Sequence, residues 1–430
     1  MAARSKRAED PERAKSGQGG GTRMTKRKWT GKAGRRAALA AALIWAALQP
    51  GAAFAESIRL GSAISLTGKY STNGDFTQKG YDLAAKLINE SGGVEVAGKA
   101  YTLEIVYYDD ESTPARGAQL AERLIAQDGV QYILGPYSSG LTKAMAPVTE
   151  KYGVPMVEAN GASVSLFTEG YRYLFAVLST TEQYLQPVVD LAAKVADDPS
   201  RVRVAGAFEN DPFSQDVQNG VLADIKRHGM KMVIEDKLPP ELNDMSATLA
   251  KVRALRPDVL LVSGHARGAA LAVRQLSDMR IELPMVGLTH CDSAQIIEKF
   301  GEKAEGFLCA AQWAPALKYS DPLFGSAADF AKLYEETYGA PPPYQAAESA
   351  AAVMVFADAF KRAGTLDPKA VRDALAETDM MTFYGPIRFD ESGKNIAKPM
   401  VLYQVQDGDY KVVYPPEPAE AELRYPMNAR

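Results

Sequence analysis

The run YILGPYSSGLTKAMAPVTEKYGVPMVEANGAS, residues 132–163, decides the fold. Tyr132–Gly135 reads as a short buried strand, Leu141–Tyr152 as a helix, and Pro155–Val157 as the opening of a second strand. A strand, a helix and a strand in such short compass imply parallel pairing, because the crossover must run over a face of the sheet. The two stretches that follow the strands, Tyr137–Gly140 and Glu158–Ser163, are rich in Gly, Ser and Asn.

Working outward, the same rhythm fills residues 57–160. Ile58–Leu66 is an apolar strand, and Phe76–Asn89 carries Phe76, Gly80, Leu83, Ala84, Leu87 and Ile88 at helical spacing. Tyr101–Tyr108 is rich in strand formers, and Ala115–Ala126 is an amphipathic helix with Ala118, Ala121, Leu124 and Ile125 on one face. The rhythm restarts at Val202–Phe208. Strands at 231–238, 258–263, 284–288 and 306–312 alternate with helices at 214–228, 246–255, 269–279 and 293–300. Gly229 is placed as a helix stop. Two α/β, doubly wound (Rossmann-like) units of similar size are therefore predicted. Beyond residue 313 the pattern changes. Helices at 327–338, 346–364 and 368–377 precede two strands, Phe383–Phe389 and Lys398–Val405, read as joined by Asp390–Gly393. This stretch is too irregular for a third doubly wound unit and is expected to complete the other two. One lobe would then comprise 56–178 with 315–399, and the other 179–314 with 400–430, with crossings near 179, 314 and 400. The Pro- and acid-rich tail from Pro415 is expected on the surface.

A chain of 430 residues has room for about two to three domains. Its charge is uneven: residues 1–55 hold 12 Lys+Arg and 3 Asp+Glu, leaving a net charge of -13 on the remainder. An acidic body of that kind argues against nucleic acid, which needs a cationic footprint. In 1–55 a basic, Gly-rich start leads to the 12-residue apolar run Ala37–Leu48 and then Ala53-Phe54-Ala55. The run is too short to span a bilayer and fits a secretory signal cut after Ala55. Met24–Ala55 alone forms a well-proportioned signal, with residues 1–23 as an extension before it. Arg35-Arg36 reads as ordinary n-region charge. Export to the periplasm is expected, with no stable membrane insertion of the mature chain.

In open α/β sheets ligands bind beyond the carboxyl ends of the strands. Those ends fall at Ser65–Asn73, Tyr137–Gly140 and Glu158–Ser163 in the first unit, and at Asn210–Phe213, Gly264–Arg267 and Thr289–Asp292 in the second. Such loops present N–H and O–H groups at helix N-termini, a natural seat for a carboxylate. Two lobes facing each other across three connections make a hinged cleft.

These strings resemble those of a known family. Gly68–Asp75 followed by Gly80, Leu134–Gly140, Gly153–Asn160 and Phe383–Asp390 are similar to the corresponding segments of type I periplasmic solute-binding proteins of ABC importers, in the leucine/isoleucine/valine-binding branch. The resemblance spans 57–410. It implies two lobes joined by a three-strand hinge, a small-molecule solute, ABC permease subunits as partners, and neither catalysis nor a cofactor. Residue by residue, it implies that Ser138, Ser139, Asn160, Gly161 and Ala162 hold a ligand carboxylate and that the loop holding Asn73 closes over the ligand side chain. Thr180 would sit near the ligand amine, Phe213 would be a cleft aromatic, Ala266 would line the far wall, and Tyr344 would edge the cleft. Where that branch carries an acid that neutralises the ammonium, this chain has Thr289 or His290, with Asp292 slightly later. The departure opens the cleft to aromatic acids, other carboxylates or amides.

Plainer readings stand beside these. Ser138 and Ser139 suit helix N-caps, Asn160 suits a left-handed turn, and His228 suits the last turn of a helix. His265, at a strand end, is read as either cleft-facing or solvated. His290 and Cys291 are adjacent and point apart in an extended segment, so they make no catalytic dyad. Cys291 reads as a buried structural thiol. Cys309 lies across a helix from it, and export would permit a bond between them, but two separate thiols on neighbouring strands are the preferred expectation. The scattered His and Cys offer no metal-ligand spacing, and no Gly-rich dinucleotide signature follows the first strand. The reading is a non-catalytic solute-binding component of an importer, taking a branched-chain or other hydrophobic amino acid or a related small carboxylate in the cleft, with an aromatic acid or an amide as the alternative ligand. A ligand sensor of the same fold and a secreted enzyme are the rivals.

Overall fold

The computed structural model describes residues 56–240 and 242–427, so the predicted signal over 1–55 lies outside the described residues. In the first unit the elements run β1 (Ser57–Ile64), α1 (Ser71–Glu90), β2 (Val94–Val96), β3 (Lys99–Asp109), α2 (Pro114–Ala126), β4 (Ile133–Leu134), α3 (Ser139–Tyr152), β5 (Met156–Glu158) and β6 (Leu174–Ala176). The sheet order is β2-β3-β1-β4-β5-β6. It is parallel throughout except for the β2–β3 hairpin at its edge.

The second unit contains α4 (Gln186–Val195), β7 (Arg203–Glu209), α5 (Pro212–His228), β8 (Lys231–Leu238), α6 (Ser246–Leu255), β9 (Val259–Ser263), α7 (Ala266–Asp278), β10 (Met285–Thr289) and β11 (Leu308–Ala311). The helices α8 (Ala327–Tyr338), α9 (Tyr344–Ala363) and α10 (Pro368–Ala376) follow, and then β12 (Val401–Gln406) and β13 (Asp409–Tyr414). The second sheet has the order β13-β12-β11-β10-β9-β7-β8. Its last two strands are antiparallel additions. In both sheets the first strand sits between strands that wind off in opposite directions, β3 and β4 about β1, β8 and β9 about β7. That is the switch point beside which a ligand crevice opens.

Local chemistry explains the elements that matter most. Asp211 caps α5, accepting from Ser214 N at 3.1 Å, with Pro212 at the first helical position. Gly229 closes α5 in the left-handed region, φ 70°, as its position predicts. Helix α9 is almost wholly buried and lies directly on α1: a Cβ on Gly80 would meet Ala346 O at 2.2 Å. Any larger residue at 80 would push these helices apart.

The chain passes between the sheets three times, and its crossings are bonded to one another. Ser179 N donates to Gln312 Oε1 at 3.0 Å, and Gln312 Nε2 donates to Ser179 O at 2.9 Å. Ser179 Oγ donates to Lys398 O at 2.7 Å, and Lys398 Nζ donates to Gln312 O. Trp313 packs edge-on against Phe330 and Phe383, with its indole N–H on Phe383 O at 3.1 Å.

Several local expectations are corrected. Helix α1 begins at Ser71, five residues earlier than its apolar spacing marks, so Asn73 lies in its first turn and not in a loop. The strand read at 383–389 does not pair with the one at 398–405. Gly385–Arg388 turns back on Asp379–Thr382, and β12 joins the second sheet beside β11. The helix read over 293–300 is two short pieces broken at Gln295, which sits in the left-handed region at φ 53°. The cysteines are also not separate thiols: Cys291 and Cys309 form a disulfide, Cα to Cα 5.6 Å. Cys309 lies on β11 and Cys291 starts the turn after β10, its parallel neighbour, so the pleat brings the two side chains together.

Candidate functional site

The first wall is built where β4 and β5 end. Tyr137 and Asn160 continue the two strands as an isolated parallel bridge. Ser138 caps α3 with Oγ accepting from Leu141 N at 3.4 Å, and it holds φ 90°, a region that favours glycine. Ser139 Oγ accepts from Ser163 N at 3.0 Å. The first N–H groups of a helix have no intrahelical acceptor and carry the positive end of its dipole, so this corner suits an anion.

Glu158 sits beneath it, fully buried. Its Oε1 accepts from Asn160 N and Gly161 N at 2.6 and 2.7 Å, and its Oε2 lies 2.9 Å from Thr142 Oγ1. Thr142 Oγ1 is also 2.9 Å from Ser138 O. One hydroxyl proton cannot serve both oxygens. A protonated Glu158 resolves this by donating to Thr142, which donates on to Ser138. Burial pushes the Glu158 pKa up to about 7, in line with that chain. A Cβ on Gly161 would lie 2.4 Å from Thr142 Oγ1, so glycine there lets the loop sit down on the acid.

The opposite wall comes from the second sheet. Phe213, His265 and His290 follow β7, β9 and β10 and are all buried. Their rings touch one another and those of the first lobe. His265 lies 4.7 Å from Tyr70 and 5.6 Å from Tyr137 between centroids, and His290 lies 5.1 Å from Phe213 and 6.2 Å from Tyr344. The Tyr137 hydroxyl and His265 Nδ1 are 2.9 Å apart across the cleft.

The two histidines are held in different states. His265 Nε2 faces Asp211 Oδ2 at 3.7 Å. Burial opposes its charge, but Asp211 prevails and raises its pKa. The Asp211 carboxyl is lowered in turn: burial works against ionisation and the His265 charge outweighs it. His290 is pushed down to about 3 by burial and then by His265, and its Nδ1 sits 3.0 Å from Gly264 O. A neutral His290 therefore donates that bond from Nδ1 and leaves Nε2 as an acceptor.

Behind the cleft lies a buried polar core. Tyr384 OH is 3.2 Å from Gln312 Oε1 and 3.3 Å from Glu348 Oε2, and the Lys398 amine lies over the Tyr384 ring at 4.6 Å. Burial drives Glu348 well above the usual carboxyl range and Lys398 down to about 7. Through the Tyr384 hydroxyl, Glu348 ties α9 to Gln312 at the second crossing.

The predicted residues fall into two groups. Ser138, Ser139, Asn160, Gly161 and Ala162 cluster on the first wall; Phe213 and His290 cluster on the second, with Tyr344 against His290. Asn73 is buried at the start of α1, and Ala266 opens α7. Thr180 is buried at the first crossing, its hydroxyl donating to Glu182 Oε1 at 2.9 Å. Asp292 is directed elsewhere: Oδ2 accepts from Tyr344 N at 3.1 Å and Oδ1 from Ser293 N at 2.8 Å. It lines a separate groove of about 550 Å3 beside Tyr338 and Tyr410. Sequence reasoning overlooked Tyr70, Tyr184, Asp211 as the partner of His265, Glu158 and Gln345. Among the described residues, no group of three His, Cys, Asp or Glu is placed to hold a metal ion, and no helix is long and apolar enough to cross a membrane.

Two doubly wound lobes, three bonded crossings and a polar-and-aromatic cleft define a type I hinged binding fold. Residues 57–409 match the sequence profile of the periplasmic binding protein family, and the chain belongs to that family, a class of solute-binding proteins. It is 25% identical over 404 residues to the Leu/Ile/Val-binding protein homolog 7 of Brucella abortus, covering 90% of this chain and 98% of that one. A leucine-binding protein from Thermotoga maritima superposes with a TM-score of 0.72 at 25% identity, covering 83% and 97% of the two chains. A solute-binding protein from R. palustris in complex with benzoate gives 0.71 at 18% identity, covering 83% and 95%.

Proposed function

We propose that this protein is the exported, periplasmic solute-binding component of an ABC importer and that its solute is a small carboxylate with an apolar or aromatic body and no ammonium group. The solute docks on Ser138, Ser139 and Asn160–Ala162. Closure then brings Phe213, His265 and His290 over it, excluding water and strengthening the polar contacts. Leucine and benzoate are both carried by relatives of this fold, so the cleft chemistry has to decide between them. The observation that supports the reading is the far wall. Its position for an ammonium-neutralising acid holds a neutral His290, Asp292 is bonded to Tyr344 N, and Asp211 is paired with His265. Seven aromatic rings (Tyr70, Tyr137, Tyr184, Phe213, His265, His290 and Tyr344) form one contact cluster here and suit a flat body.

A second reading is a branched-chain amino acid, as the name of the Brucella relative has it. Asp211 favours it: its Oδ2 faces His265 Nε2 at 3.7 Å without a hydrogen bond, so an amine would compete with the imidazole for that oxygen. Matched pairs separate the two: leucine against 4-methylpentanoate, and phenylalanine against 3-phenylpropanoate, in thermal melts of residues 56–430. A ligand at 100 Kd adds about 2.7 kcal/mol of stability. Shifts with the amine-free members alone support the first reading, and shifts with the amino acids alone overturn it.

A further inference from the structure

Four residues on the first-lobe side of the cleft keep buried polar atoms without a hydrogen-bond partner: Asn73 Nδ2, Asn160 Oδ1, Tyr344 OH, and both Nε2 and Oε1 of Gln345. Such atoms are rare in a folded protein, and each costs free energy unless something meets it. Tyr344, Gln345 and Asn160 are neighbours in the fold, and Asn73 lies about two turns along α1 from that helix's contact with α9. Gln345 is fully buried one turn before Ser349 on α9, so both lie on one helix face. Ser349 Oγ accepts from Asn160 Nδ2 at 3.0 Å, which places that face toward the end of β5. Tyr344, the preceding residue, has its ring against His290 and its backbone N–H on Asp292. Asn73 starts α1, the helix that lies on α9 through Gly80.

We infer that Gln345, with Asn73, Asn160 and Tyr344, forms a polar subsite that reads a neutral hydrogen-bonding substituent of the solute, a hydroxyl or carboxamide, apart from its carboxylate. This rests on the carboxylate reading above. The chemistry of the orphan atoms sets the class. Asn73 offers a donor, Asn160 an acceptor, and Gln345 one of each, so the group they fit both donates and accepts. An ammonium would leave Asn73 Nδ2 and Gln345 Nε2 unmet, and a second carboxylate would face Asn160 Oδ1 and Gln345 Oε1. A plain apolar ligand would leave all of them unmet, an unfavourable complex.

The test uses residues 56–430, wild type and Gln345→Leu, with benzoate, phenylacetate and their 4-hydroxy and 4-carboxamido derivatives titrated calorimetrically. In the wild type a substituted acid should bind at least tenfold tighter than its parent, and in Gln345→Leu that ratio should fall to within twofold. Without ligand, Gln345→Leu should melt at or above the wild-type temperature, because it removes an amide that nothing satisfies. Equal binding of parent and substituted acids overturns the subsite and leaves the carboxylate reading standing. So does a lower melting point for ligand-free Gln345→Leu, which would give Gln345 a structural partner. If no acid binds, the carboxylate reading fails and the subsite falls with it. Should Gln345→Leu fail to fold, Gln345→Met serves for the same ratio.

Discussion

Tyr137 and His265 come from different lobes, and the tyrosine hydroxyl stands 2.9 Å from the imidazole Nδ1. Both are buried, and the bond crosses the space where a solute would be clasped. It therefore holds the lobes together from inside the cleft. A net hydrogen bond is worth about 0.5–1.5 kcal/mol. Tyr137→Phe should shift the ligand-free protein toward the open form by roughly two- to tenfold. Small-angle scattering would show a larger radius of gyration for the variant, and identical curves would deny the bond any part in closure.

Ser138 sits at φ 90°, a conformation that costs a non-glycine residue about 1–3 kcal/mol. Glycine would relieve it while losing a cap worth about 1 kcal/mol. Ser138→Gly should melt within a few degrees of the wild type, yet bind the carboxylate more weakly. Thermal melts with and without ligand check both halves. Unchanged affinity would make Ser138 a cap and no more.

Glu158 gives a pH signature. Its pKa is near 7 in the folded protein and about 4.5 unfolded, so between these values the folded state holds more protons. Stability from this group falls as pH rises through that window. Glutamine can donate to Thr142 as the protonated acid does, without titrating. Glu158→Gln should match the wild type near pH 4.5 and exceed it at pH 8 by up to about 3 kcal/mol. Urea melts across that range test the sign. Asp292, raised to about 6, works in the same direction and His290, lowered to about 3, in the opposite one, so the difference between wild type and variant is the quantity to read.

The disulfide joins residues 18 apart, and a closed loop of that size is worth about 3 kcal/mol in the chain-entropy account. Cys291 directly follows His290, which holds the left-handed turn at the end of β10. Reduction, or the double change Cys291→Ala with Cys309→Ala, should lower the melting temperature and weaken solute binding together. Calorimetry on oxidised and reduced protein would show whether the two losses coincide.

Much of the architecture was legible because the doubly wound units write themselves in alternating strand and helix patterns. Gly229 marked its helix end correctly. What escaped the sequence depended on tertiary partners. Asn73 and Gly74 have loop character, but Gly74 allows the start of α1 to approach Ser65 O, where a Cβ would lie at 1.9 Å. Glu158 and Gln345 look like ordinary surface types in one dimension; burial against Thr142 and within α9 is invisible there. The cysteine pairing needed the register of β10 on β11. The strand at 385–388 was assigned the wrong partner because the turn Phe383-Tyr384 is two aromatics, with none of the glycine or asparagine that signals a hairpin.

The order of the strands has a consequence for how the protein is made. The second sheet opens at Arg203 and is edged by β12 and β13, which end at Tyr414. Helix α9, which covers α1, is not complete until Ala363. A chain emerging from its N-terminus therefore lacks a piece of the first half until Ala363 and of the second half until Tyr414. Until then β11 presents an unpaired edge, and the apolar face of α1 waits for its cover. A truncation before residue 344 should therefore yield an aggregating product with neither half intact.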